Sequence, residues 1–154
     1  MAVRNIVKIG DDILRKVCRT QLTFDDRLHT VLDDMAETMY KAEGVGLAAP
    51  QIGILRRYCV VDVGDGLLEL INPVILENNG EQVGEEGCLS IPGEYGIVKR
   101  PEKITVRAQD RNGNTFTVTV EGFKARACCH EIDHLDGVLY IDKTEKEVGE
   151  HGRR

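Results

Sequence analysis

The order in which hydrophobic periodicity changes along the chain constrains its fold most. Leu28, Val31, Leu32, Met35 and Met39 recur at helical spacing, with Asp33, Asp34 and Glu37 between them, so the segment from Asp25 to about Ala42 reads as an amphipathic helix. Asp25 and Asp26 stand at its start, where carboxylates favour the positive end of the helix dipole, and Gly44 follows close to its end as a stop signal. Before it, an extended segment over 1–10 leads into a short helical turn over about 11–17, capped by Asp11 or Asp12. The pattern then becomes strand-like. The apolar runs 58–63 and 68–71 have strand length, and Val74 to Leu76 extend the second beyond Asn72-Pro73. Segments 103–108 and 116–120 flank Asp110-Arg111-Asn112-Gly113-Asn114, a hairpin with Asn112-Gly113 in its turn and one wet face. A last helix is expected over about 123–136, ended by Gly137. Helix, several strands, helix predicts an α+β fold: mixed, mainly antiparallel sheets packed around the C-terminal helix, plus the N-terminal amphipathic helix.

No repeat or interdomain linker interrupts this order, so residues 1–141 read as one catalytic domain. Residues 142–154 turn charged and read as a flexible tail. A chain of 154 residues can bury a real core without covalent staples. Its net charge of −6 argues against nucleic acid as the main partner, because phosphate binding needs a basic face. The cysteines are Cys18, Cys59, Cys88, Cys128 and Cys129. An odd number without regular spacing does not read as a disulfide framework and points to a reducing compartment. With no secretory signal and no run long enough for a membrane span, a cytoplasmic protein with no membrane partner is expected.

Inside the predicted last helix lies His130-Glu131-Ile132-Asp133-His134. Two histidines at i and i+4 share one helical face, so both imidazoles can reach one metal ion. Glu131 is angled away from them and can act on water at the ion as a general acid/base. Taken alone, the motif is as compatible with a solvated helical face as with a metal site, so a third ligand decides. A catalytic site of this type usually has three protein ligands and one open position. Downstream, the glycine of an HxxGxxH continuation is present as Gly137, but Tyr140 occupies the final ligand position, and Glu145, Glu147, Glu150 and His151 fall in the charged tail. Upstream, Cys88 lies in Glu85-Glu86-Gly87-Cys88-Leu89-Ser90, where Gly87 lets the backbone pass close to an ion. As thiolate, Cys88 would complete a Cys-His-His set; the alternative for an isolated cysteine is a small buried core residue.

Gly44-Val45-Gly46-Leu47-Ala48-Ala49-Pro50-Gln51, Glu86-Gly87-Cys88-Leu89-Ser90 and His130-Glu131-Ile132-Asp133-His134 together resemble, in content, order and spacing, the signature motifs of the peptide deformylase family. The resemblance runs from Asp11-Asp12-Ile13-Leu14-Arg15 to Gly137-Val138-Leu139-Tyr140. It implies a metallohydrolase acting on a linear amide, which removes the N-formyl group from the formyl-methionine of nascent polypeptides and releases formate. It implies one divalent ion, ferrous iron as the native species, with zinc, nickel or cobalt as substitutes. The ligands carry over as Cys88, His130 and His134, and the acid/base as Glu131. Gln51 and the backbone N–H of Leu89 carry over as donors to the reacting oxygen. Substrate is implied to lie extended along Val45-Gly46 and Gly87 as an added strand. Val45, Phe123 and Ala127 are candidates for the methionine pocket, with Arg126 shaping its rim and Cys128 and Cys129 as packing residues. N-formylmethionyl nascent chains are the implied partners. The tail past Ile141 is shorter than the C-terminal helix of other members, so a ribosome-docking role for it does not carry over.

Two other classes compete. A different HExxH metallopeptidase would need its third ligand after His134, and Cys88→Ala would then keep its metal. A non-enzymatic metal-stabilised protein would be expected to lack Glu131 or Gln51, and both are present.

Overall fold

A computed structural model describes residues 2–145. After an extended N-terminal segment and a 3-10 turn (Asp12–Arg15) come α1 (Asp26–Lys41), β1 (Gly46–Ala48), a second 3-10 turn (Ala49–Ile52), β2 (Tyr58–Val61), β3 (Leu68–Asn79), β4 (Gln82–Cys88), β5 (Ile91–Arg100), β6 (Lys103–Gln109), β7 (Thr115–Glu121), α2 (Phe123–His134) and a last 3-10 turn (Tyr140–Asp142). A five-stranded sheet has the order β1-β2-β3-β6-β7, and β4 and β5 form a separate two-stranded ribbon. All named pairings are antiparallel. This is the expected α+β architecture.

The sheet places its apolar residues on both sides of β2. Cys59, Val61 and Leu70 join Ile104, Val106 and Val120 beneath Ala125, Cys128 and Ile132 of α2. Tyr58, Val60 and Ile71 join Leu47 beneath Leu28, Leu32, Met35 and Met39 of α1. β2 is therefore buried on both faces, which explains its unbroken apolar run. Toward the other edge the alternation returns: on β7, Thr115, Thr117 and Thr119 are exposed while Val120 is buried.

Local chemistry sets the boundaries. Asp25 caps α1, accepting the Leu28 N–H at 3.1 Å. At the other end Glu43 (φ 60°) takes the left-handed position, and its N–H and that of Gly44 reach Tyr40 O and Met39 O, a Schellman closure. The stop is thus made by a glutamate. Gly44 is needed for another reason, since a Cβ there would lie 2.7 Å from Leu89 Cδ1. In the β6–β7 hairpin Gly113 has φ 87°, and Asp110 accepts the Asn112 and Asn114 N–H groups.

One element was not anticipated, and one expectation is corrected. The segment carrying Cys88 is a strand, with Cys88 as the last residue of β4; Gly84, Gly87, Pro92, Gly93 and Gly96 dilute its β-propensity and hide the ribbon from a reading by composition. The charged tail does not begin at residue 142. Lys143 Nζ pairs with Asp133 at 3.0 Å, Thr144 bridges to Val98, and the Glu145 N–H donates to Ile97 O at 2.7 Å, so the chain continues along β5 to residue 145. Residues 146–154 lie outside those described. No helix of the described residues is long and apolar enough to cross a membrane.

Candidate metal centre and active-site cleft

α2 supplies His130, Glu131 and His134 on consecutive turns, and the end of β4 brings Cys88 to them. One ligand atom from each of Cys88, His130 and His134 lies within 4.8 Å of the others, and Cys88 Sγ is 3.4 Å from His134 Nε2. Among the described residues this is the one cluster with that geometry. A thiolate with two imidazoles is a donor set for a divalent transition ion.

The surroundings fit such an ion. Glu86, two residues before Cys88, accepts from His130 Nδ1 at 2.9 Å, which leaves Nε2 as the ligating nitrogen. Burial, then the charges of His130 and Arg100, hold the His134 imidazole well below its ordinary pKa, the neutral form a ligand requires. Burial alone would lower His130 too, but Glu131, then Cys88 and Glu86, hold it up at about 10. Glu131, Cys88 and Glu86 thus surround one buried ring.

Glu131 is buried beside the cluster without belonging to it. Its Oε1 has no hydrogen-bond partner among the described residues, and Oε2 stands 4.0 Å from His130 Nε2. Burial raises its carboxyl to about 7, against the lowering effect of His130, which places it where a group can both take and give a proton near neutrality. Gly46 makes room for it: a Cβ there would fall 2.5 Å from Glu131 Oε2. Gln51, in the 3-10 turn after β1, is 1% exposed, and its Nε2 lies 3.6 Å from Cys88 Sγ.

An open cleft of about 470 Å³ runs over these groups, and Val45, Gly46, Gln51, Gly87, Leu89, Phe123, Ala127, His130 and Glu131 all line it. Every residue singled out from the sequence for substrate contact therefore reaches one cavity. Cys128 and Cys129 are buried in the core, as expected for packing residues. Arg126 differs from its expected place on a rim. It lines the cleft but is only 4% exposed, with Nη1 donating to Glu86 Oε2 at 2.7 Å and Val98 O at 3.0 Å.

The sequence reading missed the network behind the ligands. Glu86 receives Arg100 Nε and Nη2 at 2.7 and 2.9 Å as well as Arg126 and His130. Burial raises its carboxyl, but hydrogen bonds from Arg100 and then His130 outweigh this and bring it to about 2. Arg100 also reaches Asp133 at 2.7 Å, and Tyr140 stacks on His130 with ring centroids 6.0 Å apart. The available signal was positional: Glu86 and Cys88 are two apart on one strand, and Asp133 and Arg126 are three and four from His130 on one helix.

Comparisons with known proteins identify the family. The family model described as polypeptide deformylase matches residues 3–149. The peptide deformylase of Caldanaerobacter subterraneus subsp. tengcongensis is 59% identical over 144 residues, covering 94% of this chain and 91% of that one. That of Acetivibrio thermocellus is 58% identical over 150 residues, covering 97% and 88%. Among solved structures, the peptide deformylase of Thermotoga maritima superposes with a TM-score of 0.93 at 43% identity, covering 94% of this chain and 99% of that chain. One from Synechococcus elongatus, in complex with actinonin, does so with 0.89 at 42%, covering 91% and 78%. Resting on a match across nearly all of its length, the chain belongs to the polypeptide deformylase family.

Proposed function

We propose that Cys88, His130 and His134 hold the divalent ion of this deformylase and that Glu131 is its general acid/base. The family removes the N-formyl group from nascent polypeptides, and the observation that carries the assignment is the convergence of the three donor atoms within 4.8 Å of one another, at a cleft lined by Cys88, His130 and the buried Glu131. When bound, a divalent ion supplies Lewis acidity, lowering the pKa of water and polarising the formyl carbonyl. Ferrous iron is the proposed native species, with zinc, nickel and cobalt as substitutes; soft thiolate with imidazole suits this group of metals.

The chain's own residues do the rest. Glu131 accepts the proton of the attacking water as its oxygen bonds to the formyl carbon. It then delivers that proton to the amine as the C–N bond breaks, so that formate and a free N-terminus leave. Gln51 Nε2 and the Leu89 N–H donate to the oxygen on which negative charge develops. Val45-Gly46 of the β1 side and Gly87 of β4 flank the cleft as the edges along which an extended peptide would pair. Phe123 and Ala127 of α2 receive the methionine side chain, Phe123 being exposed and Ala127 buried.

The test is release of formate from a formyl-Met peptide by the metal-loaded protein and its Glu131→Ala variant. A loss of about 10²-fold or more is expected. An unchanged rate would exclude the mechanism, and Cys88→Ala retaining its metal would exclude the ligand set.

A further inference from the structure

Gln51 reaches the cleft from a turn, an element that would normally leave a side-chain amide free to rotate, since the terminal torsion of glutamine is broad. Here both ends of the amide are engaged in the interior. Oε1 accepts the Ala48 N–H at 2.9 Å, and Nε2 donates to Ser90 Oγ at 3.1 Å. Ala48 N–H is only a donor, so it selects the oxygen end and fixes which way round the amide sits. Ser90 is 0% exposed and takes one of the two Nε2 protons, while the other is directed at Cys88 Sγ, 3.6 Å away. The backbones of the two residues are held by neighbouring positions of one segment: the Val7 N–H donates to Gln51 O at 2.7 Å, and the Ile9 N–H to Ser90 O at 2.8 Å.

We propose that Ser90 is a positioning residue for deformylation: its buried hydroxyl takes one Nε2 proton and so aims the other into the cleft beside Cys88 Sγ, where the reacting oxygen can share it, with the N-terminal segment at Val7 and Ile9 clamping the pair. The proposal rests on the donor role given to Gln51 above. Without Ser90 Oγ the amide keeps only the Ala48 N–H and the long contact to Cys88 Sγ, and the donor is misaligned when charge develops on the substrate oxygen. The effect therefore belongs to kcat and not to ground-state binding.

The experiment is steady-state formate release from a formyl-Met peptide by the metal-loaded full chain, comparing wild type, Ser90→Ala, Gln51→Ala and the double variant. Ser90→Ala is expected to lower kcat about 5- to 10-fold, the effect of one hydrogen bond, with KM within about twofold. In the Gln51→Ala background the same change is expected to alter kcat by less than about twofold, because Ser90 acts through Gln51. Metal content and the thiolate-to-metal absorption of the cobalt-loaded protein are expected to stay at wild-type levels. An equal loss in both backgrounds would assign Ser90 to packing and overturn the proposal, as would wild-type kcat in Ser90→Ala. Wild-type kcat in Gln51→Ala alone would instead remove the donor role of Gln51, a result visible without touching Ser90. Should Ser90→Ala fail to fold, Ser90→Cys, which keeps the shape with a weaker acceptor, is read by the same cycle.

Discussion

Replacing Glu86 by alanine would leave two guanidinium groups in the interior without the carboxylate they share. The side chains of Glu86, Arg100 and Arg126 are 4%, 2% and 5% exposed, so water cannot enter to compensate. Breaking a buried ion pair by removing one partner costs about 3–5 kcal/mol. The structure places this case near the lower end. Arg100 keeps Asp133 at 2.7 Å, and Arg126 keeps Val98 O at 3.0 Å, so neither is stranded without an acceptor. About 3 kcal/mol in a chain of this size is a fall of roughly 6–12 °C in melting temperature. A second effect is local. His130 Nδ1 loses Glu86 Oε1, and losing such an orienting partner typically lowers metal affinity about 10- to 100-fold. Thermal unfolding of the metal-free protein measures the first, and competition with a chelating dye measures the second. The double variant Glu86→Ala, Arg126→Met removes a charge from each side and is expected to be less destabilised than the sum of the singles by about 1–3 kcal/mol. A Glu86→Ala protein melting within about 2 °C of wild type, with unchanged metal affinity, would refute the reasoning.

Other outcomes follow from the same geometry. Gly46→Ala sets a methyl group against a buried Glu131, whose Oε2 would be 2.5 Å away, and kcat should fall at least about 10-fold in the formate-release assay as the carboxylate is displaced. Gly137 has φ 75°, and a Cβ there would lie 2.5 Å from the backbone oxygen of Arg15; Gly137→Ala should cost at least about 2 kcal/mol in denaturant unfolding. Adding a divalent ion to metal-free protein should raise the melting temperature, by an amount equivalent to about 4 kcal/mol at a thousand times Kd, and Cys88→Ala should abolish most of that rise. Burial raises the pKa of Asp34, but the Ala2 N–H and then Arg4 outweigh it and lower the carboxyl below 3.8. Its contribution is therefore present above the unfolded pKa and lost as pH falls through the depressed folded one, so acidification beyond the ordinary carboxylate range should release residues 2–4 from α1, read as new mobility in their NMR signals.

Periodicity and motif together carried much of this protein. The heptad-like spacing of Leu28, Val31, Leu32, Met35 and Met39 suffices for α1 because burial of one helical face needs only those side chains. The i, i+4 histidines suffice for two donors because one helix fixes their separation. The three motif segments sufficed for the resemblance that the family match confirms. What the chain alone could not yield depends on contacts between distant segments. The β4–β5 ribbon is hidden by its glycines, and strand pairing is non-local. The place of Arg126 is explained only when Glu86 is brought against it from 40 residues away. Whether Cys88 is a core thiol or a candidate ligand turns on its distance to His134, 46 positions on. Ser90 acquires meaning only when the chain folds Gln51 against it. Local spacing determines which residues can share a face, whereas the packing of separate faces decides which of them share a proton, a charge or an ion.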